Sequence, residues 1–281
     1  QLGDCLEKTL DVDVLLKLGE KADIDVLGSV TVTADGSSQK CEAQKNADLV
    51  LQNQFAGEKI SHSVIRIRLG VAWDEAFCFY YRDNLEFLEK QGVQIVRFSP
   101  VHDKHLPDDL DGLLLGGGYP ELYAKALEEN ETIRNEIRRK AEEDMPILAE
   151  CGGYLYLLKE LEDENGTGYE MAGVFSGKGY KKGKNSHFGY ITVQTEKDSL
   201  YLKAGETIKG HEFHYWESTQ DENELKMQAK KPTGKRSWPC VTVKNQVMAG
   251  FPHLYYPSQE GFGERFVQAC DRYRMKRKRQ Q

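Results

Sequence analysis

Cysteine pairs at metal-ligand spacing are missing from this chain of 281 residues. Its six cysteines, at 5, 41, 78, 151, 240 and 270, include no C-x-x-C, which argues against a zinc knuckle and a disulfide framework and makes a reducing, cytoplasmic setting the default. Long apolar runs are missing as well. No stretch reaches the roughly 20 residues that span a bilayer, and the polar opening from Gln1 to Leu10 lacks the basic start and apolar core of a secretory signal. Positive charge is in deficit, with 38 Lys and Arg against 45 Asp and Glu for a net charge of -7. A nucleic-acid partner is therefore not expected, because phosphate contacts need a basic surface. No G-x-x-x-x-G-K-[ST] occurs either, so no P-loop for ATP is present. The chain opens on Gln1 rather than Met and reads as a piece of something longer.

What is present divides into three parts. Leu6, Leu10, Val14, Leu15 and Leu18 fall at helical spacing before Gly19, which predicts a helix, and residues 21–63 turn polar and linker-like. Residues 1–63 are accordingly read as the remnant of a preceding domain and its linker. After Ser63 strand and helix signals alternate, which implies β-α-β units, a mostly parallel sheet flanked by helices, and an α/β fold. The strands expected are 65–72, 93–98, 112–115 and 146–149, with helices over 80–91, 122–143 and 154–161. Shorter strands at 188–193, 207–214, 240–243 and 246–250 suggest a short antiparallel extension. Residues 64–260 form this domain. A helix from Glu260 to Arg274 and a basic tail through Arg279 complete the chain, and the tail is expected to be solvated and frayed.

The chemistry concentrates around Pro146-Ile-Leu-Ala-Glu-Cys151-Gly-Gly-Tyr. A cysteine between an apolar strand and a helix, with Ala149 two before and Gly153 two after, has the composition of a nucleophile elbow. Such a sharp turn crowds the backbone and demands small flanks. The helix that follows aims its first N–H groups at the sulfur, which favours thiolate. For an oxyanion hole, the Gly152 N–H supplies one donor, and Gly117 or Gly118, in the Gly116-Gly117-Gly118 run after a neighbouring strand, supplies the other. Among seven histidines, His253 follows an apolar strand in a loop bounded by Pro252 and Pro257, which makes it the candidate base. His211 and His214 are its rivals. On a strand they point to opposite faces, so they make a poor joint metal site and no metal is expected.

Several segments in a fixed order carry a resemblance. Ala72-Trp-Asp-Glu-Ala-Phe-Cys-Phe-Tyr-Tyr81, Asn84-Leu85, Phe98-Ser99-Pro100, Gly116-Gly-Gly-Tyr-Pro-Glu121, Ala149-Glu-Cys-Gly-Gly153 and Gly210-His-Glu-Phe-His-Tyr215 together resemble the C-terminal half of the cobyrinic acid a,c-diamide synthase family, over roughly residues 64–257. The resemblance implies a class I glutamine amidotransferase-like, flavodoxin-like fold. It implies that Cys151 attacks the glutamine amide, that His253 raises its nucleophilicity, and that ammonia passes to a synthetase half that uses ATP and Mg to amidate the a and c carboxylates of a corrinoid. The family lacks the acidic residue two after the histidine, and Tyr255 stands there in this chain. Tyr119, Glu121, His211 and His214 become candidates for substrate or interface contacts. This chain itself is expected to hold no cofactor, with glutamine as its own substrate. The lysine-rich stretch 177–185 departs from the family, so another tetrapyrrole diamide synthase remains open. A docking module that keeps the fold, and a cysteine peptidase of similar fold, are the competing readings.

Overall fold

The computed structural model describes residues 67–182, 187–220, 225–233 and 236–280. The helix expected over 6–18 and the linker that follows it lie outside the described residues.

Apolar runs bounded by turns form the parallel core. Strand β1 (Ile67–Ala72) leads to helix α1 (Arg82–Lys90), then β2 (Val93–Phe98) and β3 (Gly112–Leu115). Helices α2 (Ala124–Glu129) and α3 (Glu131–Glu142) precede β4 (Ile147–Glu150), which runs into α4 (Gly152–Leu157). The remaining strands are β5 (Glu160–Glu162), β6 (Gly168–Glu170), β7 (Lys178–Lys181), β8 (Phe188–Gln194), β9 (Thr207–Phe213), β10 (Trp216–Ser218), β11 (Leu225–Lys230), β12 (Ser237–Lys244), β13 (Val247–Gly250) and β14 (His253–Leu254), and helix α5 (Glu260–Gln280) closes the chain. The main sheet has the order β14-β9-β8-β11-β12-β13-β4-β3-β1-β2. Strands β2, β1, β3, β4 and β13 are parallel neighbours, and the other five pair antiparallel. The α/β class stands as expected, and the antiparallel extension reaches five strands.

Only Phe251 and Pro252 separate β13 from β14, and so short a link bridges about 10 Å at most. Four strands intervene between β13 and β14 in the sheet order, so the antiparallel half curls round until its far edge returns to the parallel core. That closure carries His253 back toward β4.

Two apolar layers cover the faces of the parallel strands. One holds Ile133, Ile137 and Ala141, four residues apart on α3, against Leu113, Leu115 and Ile147. The other holds Phe262, Phe266 and Cys270 of α5 against Leu69, Val71 and Leu148. The spacing of four turns one stripe of each helix onto the sheet.

Three local expectations are corrected. The helix expected over 122–143 is two helices, broken at Asn130, whose side-chain amide donates to Pro100 O and Asp103 O, each at 2.8 Å. A short polar side chain that bonds backbone elsewhere competes with helix continuation. The helix expected over 154–161 ends at Leu157, and 160–162 becomes a strand of a second, four-stranded sheet, β10-β7-β5-β6. The basic end does not fray, because α5 runs to Gln280. Arg277 donates to the carboxylates of Asp109 and Asp111, Lys276 lies 3.6 Å from Asp144, and Arg274 is buried. The lysine-rich stretch is likewise neutralised where it is described. Lys178 bridges Glu160 and Glu162 at 2.7 and 3.0 Å, and Lys182 pairs with Glu217 at 3.6 Å.

Candidate active site

Three loops leave the carboxyl ends of three adjacent parallel strands, β3, β4 and β13, and these carry Gly116–Gly118, Cys151 and His253. Pairing of Leu115 with Ala149 and of Gly250 with Glu150 levels the three strand ends. Crevices at the carboxyl ends of parallel strands are where open α/β sheets bind ligands.

Cys151 is the turn between β4 and α4, with φ 49 and ψ -104. A non-glycine residue held there stores on the order of 1–3 kcal/mol of backbone strain. Backbone hydrogen bonds on both sides hold it, from Cys151 N to Gly250 O at 2.8 Å and from Gly153 N to Gly116 O at 2.8 Å. A Cβ on Gly153 would stand 2.1 Å from Leu115 O, so the small flank anticipated from the sequence is a steric requirement.

The expectation of an easily formed thiolate is reversed. The Gly152 N–H does point at the sulfur and lowers the thiol pKa, but burial outweighs it and, with the nearby Glu121 carboxylate, pushes the thiol up to about 12. One peptide dipole does not replace lost solvation. His253 is shifted the opposite way for the same reason. Burial, then His211 and His214 beside it, hold its imidazole down at about 3. Its Nδ1 has no hydrogen-bond partner, so no group orients the ring through that atom. No thiol–imidazole hydrogen bond forms among the described residues.

Packing holds the imidazole instead. His253 stacks on His211 with ring centres 5.0 Å apart and meets the Phe79 ring edge-on at 4.7 Å. Asn84 of α1 fixes the chain that follows, its amide donating to Leu254 O at 2.7 Å and its oxygen accepting from Tyr256 N at 2.9 Å. Glu150, next to the cysteine, accepts from the Tyr256 hydroxyl at 3.0 Å and from the Leu254 backbone. Its burial raises its carboxyl to about 8, so it is mostly protonated at neutral pH.

The glycine loop distinguishes its two candidate donors. Gly117 N–H is spent on Phe79 O at 3.2 Å, and Tyr119 N–H on Ala76 O at 2.9 Å. Gly118 N, which lies 3.1 Å from where a Cβ on Gly152 would stand, is the loop donor left uncommitted among the described residues. The Gly117 backbone is pressed against the His253 ring instead.

The other candidates separate. Glu121 is buried, close enough to influence the thiol, and burial raises its own carboxyl to about 7. Tyr119 is exposed. His211 lies 2.8 Å from the Tyr81 hydroxyl through Nδ1, whereas His214 faces the other way and stacks on Phe251 at 3.9 Å. The opposite faces expected for these two are thus observed. Phe79, Tyr81, Asn84, Glu150 and Tyr256 had no assigned role from sequence. The first four stand within segments that carry the resemblance, which signals their position without disclosing what they touch.

A family model described as the CobB/CobQ-like glutamine amidotransferase domain matches residues 68–261. A curated relative named cobyrinate a,c-diamide synthase, from Caldanaerobacter subterraneus, is 38% identical over 209 residues, 74% of this chain and 46% of the relative. Another of that name, from Picrophilus torridus, is 34% identical over 270 residues, 96% of this chain and 52% of the relative. The chain therefore spans about half the length of the curated relatives it matches. Among solved structures, a chain in the structure of PurLQS from Thermotoga maritima aligns with a TM-score of 0.51 at 18% identity, over 74% of this chain and 98% of that one, which is a likeness of fold alone. No helix among the described residues is long and apolar enough to cross a membrane.

Proposed function

Because the chain belongs to the CobB/CobQ-like glutamine amidotransferase family, we propose that it hydrolyses the side-chain amide of glutamine, with Cys151 as nucleophile and His253 as its base. The observation that carries this reading is the convergence of the strained Cys151 turn, the glycine loop and the His253 strand at three neighbouring strand ends.

In this mechanism His253 takes the thiol proton as the sulfur attacks the amide carbon. The oxyanion forms between the N–H groups of Gly152 and Gly118, fixed dipoles that need no reorganisation. Collapse of that adduct expels ammonia with the proton returned by the imidazolium, and water then cleaves the thioester to glutamate. In the free chain the pair rests as neutral thiol and neutral imidazole, because both shifts oppose charge separation. Glutamine binding, or contact with a synthetase part, has to bring sulfur and imidazole together.

The names of the relatives extend the proposal. The ammonia serves an ATP- and Mg-dependent amidation of the a and c carboxylates of cobyrinate, in the half of the protein that these 281 residues do not match. The chain itself holds no cofactor in this scheme.

Glutamate release from glutamine tests the assignment. Cys151→Ser is expected to abolish it and His253→Asn to slow it by roughly 10²–10⁴-fold, the usual worth of a positioned base. A Cys151→Ser rate within a few-fold of the parent contradicts the nucleophile. No release by the parent chain, alone or with a synthetase half added, contradicts the glutaminase reading.

A further inference from the structure

A second set of ligating side chains lies outside the Cys151–His253 pair. Strands β8 and β9 are paired with Phe188 opposite Phe213 and Gly189 opposite Glu212. His187 and His214 follow one step beyond that register and so face each other across the two strands. Glu212 is two residues before His214, so strand alternation puts it on the same side. The result is a compact trio. His214 Nε2 is 3.6 Å and His187 Nδ1 3.9 Å from Glu212 Oε2, and one ligating atom from each residue falls within 4.8 Å of the others.

The protonation pattern leaves a gap for a cation. His214 Nδ1 is 2.6 Å from Trp216 O, and a carbonyl only accepts, so Nδ1 carries the proton. Nε2 is then the ring nitrogen left to a cation, either a proton or a metal ion. That atom is buried, with the His214 side chain 3% exposed, and it has no hydrogen-bond partner. What it faces is the carboxylate of Glu212, itself 1% exposed and also an acceptor. Two buried acceptors aimed at each other are repulsive unless something positive lies between them. The surrounding contacts match those that orient metal ligands, namely a backbone carbonyl on the far nitrogen of the histidine and an N–H on the carboxylate. The latter is Trp238 Nε1, 3.1 Å from Oε2. A cavity of about 150 Å³ borders the trio at His187 and Glu212, with Tyr154 and Trp238 but not His214 on its wall, and leaves room for water on that side. Lys182, which also lines it, lies 3.6 Å from its partner Glu217.

We propose that His187, Glu212 and His214 bind one divalent transition-metal ion, with zinc the best fit to two imidazoles and one carboxylate. Ligand atoms around tetrahedral zinc sit roughly 3.3–3.5 Å apart, so small side-chain rotations close the trio. The site draws on a different histidine pair from the His211–His214 combination that strand geometry excludes. It does not depend on the glutaminase assignment, since none of its ligands acts in that mechanism.

Calorimetric titration of the chelator-treated full chain with zinc chloride tests it. One equivalent is expected to bind. Affinity is expected to fall at least about tenfold in Glu212→Gln and in His187→Ala and to stay unchanged in Cys151→Ser. X-ray absorption of the zinc-loaded parent, which needs no variant to fold, is expected to show nitrogen and oxygen ligands with two imidazoles and no sulfur. Absence of binding below millimolar zinc, a sulfur ligand, or loss of binding in Cys151→Ser overturns the proposal.

Discussion

Gly117 and His253 are in contact: a Cβ on Gly117 would lie 2.3 Å from Cε1 of the imidazole and 3.2 Å from Nδ1. The glycine loop therefore sets where the base stands as well as presenting the uncommitted Gly118 N–H. Gly117→Ala is expected to push the ring aside and lower the glutaminase rate by about 10²-fold, the cost of misplacing a catalytic group by about 1 Å. Because the adjacent contact is a side chain rather than backbone, folding should survive. Steady-state kinetics alongside a thermal melt check this. An unchanged rate in a folded variant contradicts the contact.

Alkylation of Cys151 reports its ionisation directly. Burial raises the thiol to about 12, so only a small fraction is thiolate at neutral pH and that fraction grows tenfold per pH unit. The rate of iodoacetamide labelling, followed at the Cys151 peptide to separate it from the exposed Cys78, is expected to climb steadily from pH 7 to pH 10. A plateau beginning below pH 8 contradicts the buried-thiol resting state.

Glu150 links the site to stability. Its folded pKa of about 8 lies above the ordinary value of 4.5, so between those values the folded protein retains a proton that the unfolded chain has released. Stability is then lost as pH rises through that window, on the order of a few kcal/mol at its upper end. Glu150→Gln keeps an oxygen to accept from Tyr256 and cannot titrate. Denaturant unfolding at pH 5 and pH 8 is expected to show a smaller decline in the variant than in the parent. Glu121 acts with the same sign up to about 7, and His253, held at about 3, acts with the opposite sign below 6.5. Both act equally in parent and variant, so the difference between the two isolates Glu150. Equal slopes contradict the assignment.

The parallel half and the elbow are legible in the sequence because their constraints are local. Apolar runs read as strands wherever both faces are covered, and the turn at Cys151 excludes large flanks wherever it occurs. The second sheet is not legible. Its strands are three or four residues long, and β7 reads Lys-Gly-Tyr-Lys, with Lys178 paired to Glu160 and Glu162 in a pattern that no periodicity announces. The supports of His253 are hidden for a different reason. Asn84 holds residues 170 and 172 positions away, and a polar side chain on a helix gives no sign of a partner that distant. The resting state of the thiol escapes a sequence reading because a helix N-terminus is visible there and desolvation is not.

The central claim is that Cys151 is the residue that attacks glutamine. Incubating the chain with 6-diazo-5-oxonorleucine, a glutamine analogue that alkylates such nucleophiles, and mapping the adduct by peptide mass spectrometry tests it most directly. The account predicts one adduct per chain, on the peptide carrying Cys151, slowed by excess glutamine and absent in Cys151→Ala. An adduct on another cysteine, or undiminished labelling of Cys151→Ala, would contradict it.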